Sequence, residues 1–239
     1  MNKKHKTNKT GKNTVNRVQE SLWIGLGLLL TIVMGPFIYY LCDSNIFVQL
    51  CDQINFQIIG AVIDWIIVLF VLLYLLPKLR ITSEEFGLSN PARVLKKHAL
   101  LILGFLVIGI FIIYPVSEAL NSFLGIGQVG VMETYNTPMQ WFVLIFVGII
   151  TAPIIEEILF RGFIISALNR YNQAFAILTS IIFFSLAHFL GYGWGSVIFT
   201  FFWSLLPTYL YVKTKSIYPG ILLHILNNIF TFLLVSLIL

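Results

Sequence analysis

Long uncharged apolar runs alternate along this chain with short polar stretches, most of them basic. At about 20 residues per crossing, the runs place spans at roughly 22–42, 57–76, 99–120, 140–168, 174–190, 195–212 and 217–238. The fold expected is all-α, a polytopic transmembrane helix bundle of about seven spans. Thr82 followed by Glu85 has capping-box spacing, and Asn90-Pro91 reads as a cap with a first-turn proline. Short surface helices are therefore expected in the polar connection 77–98.

The fourth run breaks the pattern. Trp141 to Ile155 carries no charge, yet Glu156, Glu157 and Arg161 follow within it. An ionisable group at mid-bilayer costs about 2.5–3.5 kcal/mol on insertion scales, so such residues face a bundle interior and mark a site. Glu157 and Arg161 are i,i+4 neighbours with the acid first, the favourable order for an ion pair. Glu156 projects about 100° round the helix, has no such partner, and is a candidate proton acceptor. A purely structural charge cluster that locks helix packing is the competing reading. As one helix, 139–168 would measure about 45 Å against a hydrocarbon core of about 30 Å. It must tilt, bend or protrude, and Pro153 offers a bend that frees backbone carbonyls close to the acids.

Composition agrees with a membrane protein: the 239 residues are 58% hydrophobic and 10% charged, with mean hydropathy +0.91. The net charge of +5 would suit nucleic acid, but its distribution excludes that partner. With seven spans the basic residues of the head (Lys3 to Arg17), of 78–97, Arg170, Lys213 and Lys215 share one side, while the opposite loops hold Asp43, Asp52, Glu118 and Glu133. By the positive-inside rule the N-terminus is cytosolic and the C-terminus extracytoplasmic, in a multi-pass cell-membrane protein whose first partner is the lipid bilayer. The basic head precedes an apolar run too long for a signal peptide and reads as a segment ahead of an uncleaved span, able to touch anionic lipid. Cys42 and Cys51 flank the first outer loop as either a disulfide or two free thiols.

Of four histidines, His188 and His224 fall within spans, with Asn228 one turn after His224. Span two holds Asp64, read as hydrogen-bonding a neighbouring helix or as a supporting carboxylate; Glu118 ends span three. His98 reads as a solvated interfacial residue, and Gly125 to Gly130 resembles no phosphate loop. A glutamate and two histidines on separate helices supply a general base, a group to orient water and donors for an oxyanion. Glu156, His188 and His224 could equally form a His2Glu zinc site, although no His-Glu-x-x-His pattern is present.

Three motifs follow in order: Glu156-Glu157-Ile-Leu-Phe-Arg161-Gly162, then Phe184-x-x-x-His188, then Ser216-Ile-Tyr-Pro-Gly-Ile-Leu-Leu-His224-x-x-x-Asn228. Over about residues 140–230 the chain resembles the CAAX-processing and bacteriocin-processing intramembrane proteases, the CPBP or Abi family. The resemblance implies an all-helical intramembrane endopeptidase. Glu156 would be the base, His188 would assist the water, and His224 with Asn228 would stabilise the oxyanion. Glu157, Arg161 and Phe184 would support them. The family is often labelled metalloprotease, while some relatives have been argued to use a glutamate-activated water; the sequence leaves both open.

The division expected is a basic segment 1–21, N-terminal helices 22–138 and a protease core 139–239. Counted from the basic ends of their spans, His224 lies about 11 Å deep and His188 about 21 Å, too far apart to share a water with Glu156. An overhang of span four on the cytosolic side, and a cleft open to the cytosol, would reconcile them. Substrates consistent with the resemblance are a prenylated protein or a secreted-peptide precursor. A non-catalytic scaffold, a bacteriocin-immunity protein and a proton-coupled transporter are the alternatives, although no internal repeat supports the last.

Overall fold

A computed structural model describes residues 20–30, 53–127 and 137–234 of the chain. Among them lie eight helical elements and no strand: α1 (Glu20–Leu30), α2 (53–79), α3 (Ser83–Phe86), α4 (91–123), α5 (Pro138–Asn169), α6 (Gln173–Ala187), α7 (Phe189–Thr214) and α8 (218–234). The caps read from sequence are present: Thr82 and Glu85 exchange both bonds of a capping box, and Asn90 Oδ1 accepts from the Arg93 N–H. Four stretches are long and apolar enough to cross a bilayer, Ile58–Leu79, Ser83–Phe123, Pro138–Asn169 and Tyr192–Thr214. The basic head, the end of the first span, both cysteines, most of the loop after α4 and the last five residues lie outside the described residues.

The fifth span differs from expectation. α6 has only 15 residues, about 22 Å of helix, shorter than the hydrocarbon core of about 30 Å. His188 therefore sits in the turn after α6 rather than inside a span. Gly193 then breaks the start of α7 at φ 73°, a left-handed value that a side chain would resist.

Three prolines shape the long helices in one way. Pro77, Pro115 and Pro153 each follow a wider π-helical stretch, Val71–Leu75, Gly109–Ile113 and Leu144–Thr151 respectively. A proline has no N–H for the ladder, and local widening re-satisfies the freed groups inside a membrane.

α5 is the centre of the bundle. Its residues Ile155, Leu159, Phe160, Phe163 and Ile164 are packed with Ile67, Val68, Val71 and Leu75 of α2, Phe184 of α6 and Trp203 of α7 in one apolar core. A second, smaller cluster joins Ile102 of α4, Leu210 of α7 and Leu223 of α8. Outward faces such as Leu73, Leu100, Phe111 and Phe123 are exposed, as lipid-facing positions should be.

At the basic end a plug formed by α3 and its flanks docks on this core. Phe86 is fully buried against Gly162. The Ile217 N–H donates to the Gly87 carbonyl at 3.2 Å, the Tyr211 hydroxyl to the Glu85 carbonyl at 2.9 Å, and Ser89 Oγ to Ser216 Oγ at 2.8 Å. α8 thus begins level with Gly162, and α5 runs on for about 10 Å past that level. There Arg170 donates to the Leu79 carbonyl and approaches Glu20. α5 overhangs α8, which removes the depth conflict between the histidines.

Candidate active site

The buried centre is built on Glu157. Its Oε1 accepts from Arg161 at 2.9 Å, with both side chains fully buried one turn apart. Arg161 is fixed on its other faces as well: Nε donates to Thr208 Oγ1 and the second terminal nitrogen to the Ser204 carbonyl, each at 3.4 Å. Its guanidinium lies 4.3 Å from the Phe184 ring centre, a cation–π contact strengthened by exclusion of water.

His224 stands between two carboxylates. Its Nδ1 is 3.3 Å from Glu157 Oε1 and its Nε2 3.6 Å from Glu156 Oε2. A carboxylate oxygen next to an arginine accepts rather than donates, so Nδ1 carries a proton and Nε2 is turned to Glu156. One further proton can then reside on Nε2 or on Glu156. The carboxylate without an arginine partner is paired with a histidine.

Phe184 is a common platform for both histidines. Its ring centre lies 4.7 Å from that of His188 and 5.9 Å from that of His224. Trp203 packs 4.5 Å from His224. His188 Nδ1 is 2.8 Å from the Phe184 carbonyl; a carbonyl only accepts, so Nδ1 donates and Nε2 is left as an acceptor.

Asn228 owes its position to Pro153. The Ala152 N–H donates five residues back to the Val147 carbonyl. At that spacing the Gly148 carbonyl would look to Pro153, which has no N–H to give. Asn228 Nδ2 supplies the missing donor at 2.9 Å. The carbonyl that a proline was expected to free is therefore used to hold a polar side chain, and one amide hydrogen of Asn228 remains for other work.

Asn227, Trp203, Ser204 and Thr208 escaped sequence reasoning as members of the site, and Gly220 stands in the third motif with no role assigned to it. Asn227 donates to Asn228 Oδ1 at 3.4 Å. Asp64 makes no hydrogen bond or ion pair with a described residue, so a bond to a neighbouring helix, one of its two readings, is not found among the described residues. A zinc ion needs three or four ligands around it. Among the described residues no group of three or more His, Cys, Asp and Glu side chains stands close enough to hold a metal ion. The proposed trio of Glu156, His188 and His224 does not make such a set in this arrangement.

Together these elements define a membrane-embedded helical bundle with a buried glutamate–histidine centre. Residues 138–230, which contain every one of the motif residues, match the Rce1-like family, described as type II CAAX prenyl endopeptidase Rce1-like. The resemblance read from the three motifs is borne out for this part of the chain. Searches of curated proteins and of solved structures found no match.

Proposed function

We propose that the protein is an intramembrane endopeptidase that hydrolyses a peptide bond of a membrane-associated substrate through a water activated by Glu156. Glu156 takes a proton from the water as its oxygen adds to the scissile carbonyl. His188 Nε2, an acceptor, orients that water. The free amide hydrogen of Asn228, with His224, meets the developing oxyanion. Collapse of the adduct breaks the C–N bond, and the proton held by Glu156 and His224 passes to the leaving amine. The products are a carboxylate and an amine.

The observation that carries this reading is the 3.6 Å approach of His224 Nε2 to Glu156 Oε2, with Nδ1 held by Glu157. A group that must accept and return a proton needs a neighbour that shares it, and a packing cluster needs no such pair. The mechanism requires no metal. The substrate classes that fit are a prenylated protein carrying a CAAX terminus and a secreted-peptide precursor. We place the basic end in the cytosol, since Arg80, Arg93, Lys96, Lys97, Arg170, Lys213 and Lys215 all belong to it.

The test uses purified protein in liposomes with membrane-anchored peptides and mass spectrometry of the products. Wild type should cleave, and Glu156→Gln, His188→Ala and His224→Ala should not, although each elutes as folded protein. Equal function of all four in cells would overturn the proposal. Activity lost in a parallel chelator arm and restored by zinc would replace the metal-free mechanism.

A further inference from the structure

Asp64 is the one charged residue in α2 between Gln53 and Lys78. It continues the inward stripe of the buried Ile67, Val68, Val71 and Leu75, while Val62, Trp65, Ile66 and Leu69 on the other faces are exposed. This face of α2 packs along α5 from Pro138 to Glu156. Asp64 is half-buried, on the part of α2 that packs against Ala152–Glu156.

Among the described residues the charges around it do not balance. Three carboxylates, Asp64, Glu156 and Glu157, share one guanidinium, that of Arg161, and Arg161 is spent on Glu157, Thr208 and Ser204. A proton on His224 adds one positive charge at most. Glu156 Oε2 and Glu157 Oε2 are both buried with no hydrogen-bond partner, and the Glu157 side chain is 0% exposed. An acid that only joined the described helices would have found a donor on one of them, because unpaired polar groups are costly where water is absent.

We propose that Asp64 is a specificity-determining residue, whose carboxylate receives a positively charged side chain of the substrate, a lysine or an arginine, beside the scissile bond. This rests on the endopeptidase reading and adds the substrate's charge to it. A basic side chain supplies the missing counter-charge, whereas an acidic one meets three carboxylates and is rejected. A half-buried position suits the role, since part of the side chain is accessible and yet poorly screened.

Two measurements test it. The first is binding, which needs no turnover: two membrane-anchored peptides identical except for Lys or Gln at one position are titrated into the full-length protein in nanodiscs. The Lys peptide should bind wild type roughly tenfold more tightly. Asp64→Asn should remove that ratio, and Asp64→Glu should keep it. Equal affinities for wild type, or a ratio that survives Asp64→Asn, would overturn the proposal.

The second measurement is cleavage of a peptide library, compared between wild type and Asp64→Lys. Cut sites should shift from basic to acidic neighbours, and an unchanged profile would overturn the proposal. Charge-selective binding by a protein that cleaves nothing in the library would sink the endopeptidase reading while leaving Asp64 as a cation-selective contact.

Discussion

Gly220 lies flat against Glu157: a Cβ at position 220 would stand 2.6 Å from Oε2 and 3.2 Å from Cδ. The first turn of α8 can pass the carboxylate only without a side chain. Gly220→Ala should push Glu157 off its register with Arg161 and His224. Overpacking of this kind costs about 1–3 kcal/mol. Thermal unfolding in detergent should show the loss, and activity should fall further than stability because His224 loses its orienting partner.

The Glu157–Arg161 pair gives a sharper contrast. Removing one member strands a buried charge, at a cost of about 3–5 kcal/mol. Arg161→Met and Glu157→Gln should each destabilise strongly, and the double variant should unfold at a higher temperature than either. A double variant as unstable as the sum of the two would mean that the charges do not act as a pair.

Pro153→Ala restores an N–H that can reach the Gly148 carbonyl and so releases Asn228. Stability should be unchanged or higher. Cleavage should drop on the order of 10–100-fold, the effect of displacing a catalytic group by about 1 Å. Asn228→Ala, which leaves the Gly148 carbonyl without its donor, should instead lower both, with about 1–3 kcal/mol lost. Comparison of unfolding temperatures and turnover for the two variants separates the roles.

Phe184→Ala removes the ring beneath Arg161, His188 and His224 together. The cost expected is about 3–5 kcal/mol. Phe184→Leu should recover much of the stability but little of the activity, since an aliphatic side chain fills the space without presenting a π face to the guanidinium. Equal recovery of both would reduce Phe184 to a space-filler.

Much of this arrangement could be read from the chain because it is local. Glu157 and Arg161 are four residues apart, Phe184 and His188 likewise, and helical periodicity alone joins them. Asn90 and Thr82 cap their helices through bonds three residues long. What could not be read depends on contacts between distant segments. Nothing near Asn228 announces Gly148, eighty residues earlier in the chain, and Ser204 and Thr208 look like ordinary small residues of an apolar helix until Arg161 reaches them. The length of α6 misled for a different reason: the apolar run continues through His188, and hydropathy does not register that the backbone turns there.

The plug around Phe86 and Gly87 comes from outside the stretch that matches the family, yet it seals Gly162 and receives the N–H of Ile217, the residue that caps α8. A polypeptide starting at Pro138 would leave the lower end of its own site uncovered, with the Ile217 N–H and the Tyr211 hydroxyl stripped of their acceptors and an apolar hole where Phe86 had been. Expressed as two pieces cut in the loop before Pro138, the halves should find one another in the membrane and regain activity together, while neither piece is competent alone. The part of the chain with no recognisable motif is thus a built-in subunit of the part that has them.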